Sequence, residues 1–363
     1  MQIWTCSGCE QTLYFDNSVC QRCQATLGFL PDRLDLAALS PADEGSFTVI
    51  GDEEDGARHR LCANGVEHDA CNWTVPAEED DSLCLACRLN HTIPDLSAGD
   101  NMILWKRLEA EKRRLVYSIL RFGLPAANKV EDPDHGLAFD FLADREPEFR
   151  EGGGVITGHA DGLITLNLAE ADHAVRERMR QQMAEPYRTI LGHFRHESGH
   201  YYWDHLVLDS SWLEPVRDCF GDDRLDYSDA LQRHYEAGPS SAWAASFVSH
   251  YASSHPWEDW AETWAHYLHI VDTLETAWQF GMRASPKVEE AEELSFRAPR
   301  NPYRELDFDA LIDAWLPLAQ ALNSLNRSVG QEDAYPFSLA APAIAKLGLV
   351  HRIIHDTIAS ASN

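Results

Sequence analysis

Two histidines and a glutamate stand in a spacing that is typical of a catalytic metal site. The motif is His196-Glu197-Ser198-Gly199-His200. On an α-helix, residues four apart share one face, about 6 Å apart along the axis, so two imidazoles can converge on one ion. Such a pair is typical of zinc ligands, and the intervening glutamate is typical of a general base. We therefore predict that His196 and His200 bind zinc and that Glu197 takes a proton from a zinc-activated water.

A third zinc ligand is expected from the stretch that follows His255. Pro256 is suited to the first turn of a helix, and in that helix Glu258 and Glu262 would share a face. We assign Glu258 to the metal and Glu262 to a position behind it, where a carboxylate fixes the tautomer of a ligand histidine. The reverse assignment, with Glu262 on the metal, stays open. Both glutamates could also be acids on a helix surface.

Other ligand patterns fit the sequence less well. The metzincin pattern requires a glycine and a histidine where this chain has Trp203 and Leu206, and His205 is one residue out of register. Asp204 continues the row of His196 and His200, but eight helical residues span about 12 Å, so it is assigned to solvent or to an outer position.

Hydrolysis also needs a group that stabilises the oxyanion of the transition state. Tyr251 and His234 lie between the motif and Glu258 and are the candidates for this role. Alternatively, both could be ordinary core or surface residues without a catalytic role.

Eight of the nine cysteines fall within the first 87 residues. Paired Cys-x-x-Cys motifs in a chain without an export signal indicate metal rather than disulfides. Cys6, Cys9, Cys20 and Cys23 therefore predict a zinc ribbon. Cys62, Cys71, Cys84 and Cys87 predict a second zinc site, in which His68 or His91 could replace a cysteine. The ninth, Cys219, is expected to be a buried thiol without a nucleophilic role.

The elements that would position these residues follow from periodicity and turn residues. A turn is expected at 152–154, followed by a hairpin formed by 155–156 and 163–168. The segment 90–100 is expected to be a linker. Helices are expected over the ranges 102–122, 171–184, 187–206, 227–235, 242–253, 257–280, 308–326 and 344–359.

Charge limits the partners of this chain. It has 30 basic and 59 acidic residues, a formal net charge of −29. Nucleic acid and anionic membrane surfaces are bound through clustered Lys and Arg, so neither is expected as a partner. Neither a signal peptide nor an apolar run of membrane-spanning length is evident, so the expected location is the cytoplasm.

The sequence resembles the bacterial zinc-binding metallopeptidases called Peptidase_Mx, which have an N-terminal zinc-ribbon domain. The resemblance covers nearly the whole chain and is carried by Cys6 to Cys23 and by three segments: 156–167 (ITGHADGLITLN), 194–203 (FRHESGHYYW) and 255–267 (HPWEDWAETWAHY). It implies a zincin-like catalytic domain and zinc-dependent hydrolysis, and it implies no particular substrate.

Together these features predict an α+β protein. A cysteine-rich double zinc-ribbon domain (1–95) precedes a mainly helical, gluzincin-like domain (96–363) with a small antiparallel sheet. One catalytic and two structural zinc ions are expected, with a peptide or protein as substrate. The ribbons are expected to be structural, and recruitment of a protein partner through them is open. Two alternatives remain: a zinc-ribbon adaptor with a regulatory or inactive hydrolase domain, and an amidohydrolase acting on a small molecule.

Overall fold

The computed structural model describes residues 1–52, 56–143, 158–182, 188–237, 242–288 and 291–361. The chain divides into two compact units, Met1–Asp172 and His173–Asn363. The expected turn at 152–154 and the expected strand at 155–156 lie outside the described residues.

The first unit begins with small antiparallel sheets. Strands β1 (Trp4–Thr5) and β2 (Thr12–Leu13) pair with each other. A five-stranded sheet follows, in the order β3-β4-β5-β6-β7. Its strands are Thr26–Leu30, Asp35–Pro41, Phe47–Val49, Arg58–Leu61 and Thr74–Pro76. This sheet begins after the first cysteine cluster, and its last strand lies within the second, between Cys71 and Cys84. It was not predicted from the sequence.

Helix α1 (Ala63–His68) and helix α2 (Asn101–Phe122) belong to the same unit. Between and after them lie β8 (Asn90–Thr92), β9 (Ala138–Leu142), β10 (Gly158–Ala160) and β11 (Leu163–Asn167). These strands form a sheet in the order β10-β11-β9-β8. The strand expected over 163–168 is present as β11. It pairs antiparallel with β10, which the sequence did not predict as a strand. Because β9 runs parallel to both β11 and β8, the sheet is mixed rather than antiparallel. The segment expected to be a linker supplies β8.

Aromatic side chains join the ribbon to helix α2. The rings of Phe29 and Trp73 lie 4.6 Å apart, and Phe15 lies 5.3 Å from Tyr117 of α2. All four side chains are buried, together with Trp4. Burying such rings is the main source of stability that a small domain can draw on besides metal. Helix α2 is therefore part of the core of the first unit.

The second unit is mainly helical. Its helices are α3 (His173–Gln182), α4 (Ile190–Trp203), α5 (Leu213–Phe220), α6 (Tyr227–Ala237), α7 (Pro256–Gln279), α8 (Phe308–Ser328) and α9 (Ala341–Ala361). Two short strands, β12 (Arg283–Ala284) and β13 (Phe296–Arg297), form a separate antiparallel pair. A π-helical turn, Asp204–Leu208, extends α4.

The sequence located most of these helices, with two differences. Helix α5 was not expected. The helix expected over 242–253 is absent, and the chain forms the short 3₁₀ turns Trp243–Ala245 and Tyr251–Ser253. Serines at 246, 249, 253 and 254 explain this difference, because their hydroxyl groups compete for backbone hydrogen bonds. None of the helices in the described ranges combines the length and apolarity needed to cross a bilayer.

Helices α4 and α7 cross at close range. A β-carbon on Gly199 would lie 2.8 Å from Cα of Ala261, so only glycine fits at this point. Trp260 donates a hydrogen bond from Nε1 to the carbonyl of Gly199 at 2.8 Å, and Trp264 donates one to Oγ of Ser198 at 3.1 Å. Ser198 and Gly199, the two unspecified residues of the His-Glu-x-x-His motif, thus form the contact that sets the spacing of the two helices.

Candidate metal centre

The crossing of α4 and α7 brings three of the predicted ligands together. Nε2 of His196 lies 3.0 Å from Oε2 of Glu258, and Nε2 of His200 lies 3.5 Å from the same oxygen. One ligand atom from each of the three residues lies within 4.8 Å of the others, and all three side chains are buried. Glu258 can lie there because α7 begins at Pro256, with the side chain of His255 accepting a hydrogen bond from the backbone of Trp257.

Glu262 lies on the other side of His196. Its Oε1 is 2.7 Å from Nδ1 of His196, while its Oε2 accepts a hydrogen bond from Oγ of Ser249. Ser249 is itself fixed, because its Oγ accepts a hydrogen bond from the backbone N–H of Ala252 at 3.1 Å. Glu262 therefore contacts the nitrogen that points away from Glu258. This geometry favours Glu258 as the ligand and Glu262 as the carboxylate that orients His196.

Two tyrosines line the centre, Tyr227 and Tyr251, and only Tyr251 was predicted from the sequence. Tyr227, the first residue of α6, donates a hydrogen bond to Oε1 of Glu258 at 2.6 Å. The ring of Tyr251 lies 5.8 Å from the ring of His196. No motif marks Tyr227 in the sequence, because its role depends on where α6 begins relative to α7. Burial, followed by the charge of Glu258, raises the pKa of both phenols, so both remain donors at neutral pH.

His234, the other candidate for oxyanion stabilisation, contacts different residues. Its ring stacks on His250 at 4.1 Å and lies 6.3 Å from the ring of Tyr251. Burial, with the neighbouring His250, lowers its pKa. Tyr251 is thus the nearer of the two candidates to His196.

Electrostatics at the centre favours bound positive charge. Burial is the largest single influence on the pKa of Glu258 and Glu262 and raises both. Hydrogen bonds and charge from His196, together with His200 for Glu258 and with His266 and Ser249 for Glu262, outweigh burial in sum and lower both pKa values, that of Glu262 to about 2. Burial likewise lowers the pKa of His196, and its bonds to the two carboxylates raise it well above the usual range. Two buried carboxylates held in their charged form are a site for a cation, either a proton on His196 or a metal ion.

The donors at this centre fit zinc. Zinc–nitrogen and zinc–oxygen distances of about 2.0–2.2 Å in a tetrahedron place neighbouring donors about 3.4 Å apart. The observed separations of 3.0 and 3.5 Å lie close to that value. Two imidazoles and one carboxylate are also the ligand set of many catalytic zinc sites, which keep a fourth position for water or substrate.

Each predicted cysteine quartet is assembled within the first unit. In the first quartet, Sγ of Cys6 lies 3.8 Å from Sγ of Cys23, and that of Cys9 lies 3.6 Å from that of Cys20. Four sulfurs around zinc at about 2.3 Å would be separated by about 3.8 Å, so the quartet has the dimensions of a tetrahedral zinc site. Backbone N–H groups of Cys23 and Arg22 help to lower the pKa of Cys20 to about 6, which favours the thiolate that metal binding requires.

The second quartet consists of the four remaining N-terminal cysteines, Cys62, Cys71, Cys84 and Cys87, whose sulfurs also lie within 4.8 Å of one another. Its four members come from two segments, and Sγ of Cys71 lies 3.7 Å from that of Cys84. Neither histidine proposed as a substitute belongs to the quartet. His68 packs against Trp105, and Nδ1 of His91 lies 2.9 Å from a carboxylate oxygen of Asp140.

Charged residues of α2 surround the second quartet. Lys112 and Glu109 are fully buried and paired at 2.9 Å, and Oε2 of Glu109 accepts a hydrogen bond from Sγ of Cys87 at 3.8 Å. Arg113 is nearly buried, and the sulfur of Cys71 is the main group that raises its pKa against the effect of burial. Lys112 and Arg113, less the charge of Glu109, leave one buried positive charge, which would offset part of the negative charge of four thiolates around a divalent ion.

Cys219 was expected to be buried and is only half-buried. It lies in the wall of an apolar cavity of about 450 Å³, which Trp212 and Phe308 also line. Burial raises the pKa of its thiol, so the neutral form is favoured and a nucleophilic role is not.

Two cysteine quartets and a His-His-Glu triad, in a chain with a zinc-ribbon region and a mainly helical second unit, define a zinc-binding protein. The family model described as "Putative zinc-binding metallo-peptidase" (Peptidase_Mx) matches residues 101–353, and a zinc-ribbon domain model matches residues 3–98. The chain belongs to the Peptidase_Mx family. This finding confirms the resemblance that was noted from the sequence.

Relatives over the full length are found in mycobacteria. The chain is 41% identical over 357 residues to "Uncharacterized protein Rv2568c" of Mycobacterium tuberculosis, covering 98% of this chain and 96% of the relative. "Uncharacterized protein Mb2598c" of Mycobacterium bovis matches with the same identity and coverage. No solved structure matches the chain significantly.

Proposed function

We propose that this protein is a zinc-dependent peptidase of the gluzincin type. In this proposal His196, His200 and Glu258 hold the catalytic zinc, and Glu197 is the general base. The two cysteine quartets hold structural zinc ions. The observation that carries the proposal is the convergence of one donor atom from each of His196, His200 and Glu258 within 4.8 Å at a helix crossing.

The chemistry follows from the donor set and from the position of Glu197. Zinc in such a site would polarise a substrate carbonyl and lower the pKa of a coordinated water to about 7. Glu197 is next to a ligand on the same helix, its side chain is 6% exposed, and its charge is felt by Tyr227. It can therefore accept the proton of an attacking water and deliver that proton to the leaving amine nitrogen.

Other residues around the centre orient the ligands and stabilise the transition state. Glu262, held by Ser249, keeps Nε2 of His196 directed at the ligand site. Tyr227 holds one oxygen of Glu258, which leaves the other oxygen facing the two histidines. Tyr251 keeps its phenolic proton and is the proposed donor to the oxyanion of the transition state.

The substitution Glu197→Gln tests the proposal, because it keeps the shape and the metal ligands but removes the base. The zinc-loaded full chain is incubated with a peptide library made from a digested proteome, and new termini are identified by mass spectrometry. We expect cleavage by the wild type and a loss of about 10²–10⁴-fold in rate for Glu197→Gln with unchanged zinc content.

The control for this experiment is Glu236→Gln, which makes the same change at an exposed position of α6. It should cleave like the wild type. Equal cleavage by Glu197→Gln, or no cleavage by the wild type, would contradict the proposed function. The second result would favour an adaptor role or a small-molecule substrate.

A further inference from the structure

A cavity of about 270 Å³ adjoins the proposed metal centre in the second unit. Two of its lining residues also contact the proposed zinc ligands. Tyr227 donates a hydrogen bond to Glu258, and the ring of Trp257 stacks on that of His200 at 3.7 Å. The cavity and the metal centre therefore share two side chains as a common wall.

The walls of the cavity are aromatic. Trp203, Tyr227 and Trp257 contribute their rings. Tyr227 and Trp257 stand nearly perpendicular, at 82° with 5.8 Å between the centroids, so the cavity has faces of two orientations. Aromatic faces bind long aliphatic stems by packing and bind cations through the negative face of the ring.

The charged groups of the wall are carboxylates. Asp204 and Asp223 line the cavity, and its lining includes neither Lys nor Arg among the described residues. Arg217 donates two hydrogen bonds to Asp223, at 2.6 and 3.3 Å, and lowers the pKa of that carboxyl, so Asp223 stays ionised at neutral pH. Arg217 compensates part of that charge. Asp204, the second carboxylate of the lining, is exposed to solvent directly after the end of α4.

The backbone at Asp204 has an unusual form. The π-helical turn that begins there brings Asp204 and Leu208, four residues apart, into the same cavity. A π turn inserted into a helix changes the direction of the side chains that follow, and such turns are frequent at functional sites. In this chain the turn brings Leu208 back to the cavity that Asp204 lines at the end of α4.

We propose that this cavity binds a cationic side chain, Lys or Arg, of the peptide substrate. The inference rests on the proposed peptidase function and names its substrate class. The volume is below the range of about 300–1,000 Å³ that is typical of whole small-molecule ligands, so the cavity suits a single side chain. The aliphatic stem would pack on Trp203 and Trp257, and the charged end would lie near Asp204.

Binding is measured separately from hydrolysis to test this. Zinc-loaded Glu197→Gln is titrated calorimetrically with blocked alanine pentapeptides whose central residue is Arg, citrulline or Phe. Citrulline keeps the shape of Arg without its charge. We expect the Arg peptide to bind at least tenfold more tightly than the citrulline peptide, and this ratio to fall to near unity when Asp204→Asn is added.

The matched control is Asp209→Asn, which removes the same charge from an exposed residue outside the cavity, and it should keep the ratio. Equal affinity for Arg and citrulline, tighter binding of Phe, no binding at all, or a ratio that survives Asp204→Asn would overturn the proposal. Hydrolysis by the wild type without a preference for Arg would leave the peptidase proposal standing. Tighter binding of the Arg peptide without any hydrolysis by the wild type would support the cavity proposal and contradict the peptidase proposal.

Discussion

Nδ1 of His196 lies 2.7 Å from Oε1 of Glu262, on the side of the imidazole opposite Glu258. Each nitrogen of this ring thus faces a carboxylate, and each carboxylate comes from α7, one helical turn from the other. An anionic partner on Nδ1 holds the proton there and leaves the lone pair of Nε2 for a metal. Replacing each of the two glutamates should therefore have a different effect on zinc affinity.

Replacing Glu262 should weaken zinc binding without abolishing it. We expect Glu262→Ala to lower the affinity of the catalytic site by about 10–100-fold, since the ligands remain but His196 loses its orientation. Glu258→Ala removes a ligand and should leave the site empty under the same conditions. Competition with a chromophoric chelator measures both affinities. If Glu258→Ala binds zinc more tightly than Glu262→Ala, the two roles are reversed.

Gly199 should not tolerate a β-carbon. In Gly199→Ala the new methyl would lie 2.8 Å from Cα of Ala261, so the backbones of α4 and α7 must move apart. Overpacking of this kind costs about 1–3 kcal/mol of unfolding free energy, and the movement would also separate Glu258 from the histidines. Denaturant unfolding and zinc affinity measure the two effects. Gly281→Ala is a control, because nothing lies within 4 Å of that position and only backbone strain is added.

The buried pair formed by Lys346 and Asp259 should be important for stability. Nζ of Lys346 lies 2.6 Å from Oδ2 of Asp259 and donates a second hydrogen bond to the carbonyl of Ser246 at 3.0 Å. Burial raises the pKa of Asp259 to about 7 even with Lys346 beside it, so in Lys346→Met this carboxyl takes up a proton at neutral pH. The free energy of unfolding should then fall by about 1–3 kcal/mol, the cost of leaving buried polar atoms without their partner.

A control for this pair is the surface pair formed by Arg224 and Asp222, both largely exposed. Arg224→Met should change the free energy of unfolding by less than about 1 kcal/mol. The double variant with Asp259→Asn should recover part of the loss. Similar effects of Lys346→Met and Arg224→Met on urea unfolding would show that the buried pair contributes little.

Buried histidines should make the second unit sensitive to acid. Burial lowers the pKa of His355 to about 4, and the neighbouring His351 adds to this effect. The unfolded chain takes up this proton near pH 6.5, so between about 6.5 and 4 the unfolded state binds more protons. The contribution of His355 to stability is therefore fully present above pH 6.5 and declines as the pH falls towards 4.

The substitution His355→Leu should reduce the slope of stability against pH in this window. Urea unfolding at several pH values measures the slope, and the exposed His173→Leu serves as the control. An unchanged slope in His355→Leu, or an equal change in both variants, would show that this histidine is not held neutral in the folded protein.

Some parts of this structure could be predicted from local sequence, and others depend on tertiary contacts. Helix α7 was located to within a residue at each end, because Pro256 and the spacing of its apolar residues are local signals. The ligand spacing of His196 and His200 is likewise a property of one helix. The convergence of Glu258 on them depends on Gly199 meeting Ala261, and no pattern in either segment encodes that contact alone.

The five-stranded sheet of the first unit was missed for a physical reason. Its strands are three to seven residues long, and the apolar ones, Thr26–Leu30 and Asp35–Pro41, lie close to acidic and Pro-containing turns. Their pairing is non-local, and short runs of this kind give weak periodic signals. Tyr227 was missed because a single tyrosine at the start of a helix has no distinctive spacing. Its contact with Glu258 appears only in the folded chain.

We propose that each chain binds three zinc ions, one of them through His196, His200 and Glu258. Elemental analysis of the wild type and of His196→Ala measures the zinc content per chain. We expect three zinc ions in the wild type and two in the variant, with the ribbon region unchanged. The same zinc content in both proteins would contradict the assignment of His196 to a metal site and, with it, the proposed hydrolase.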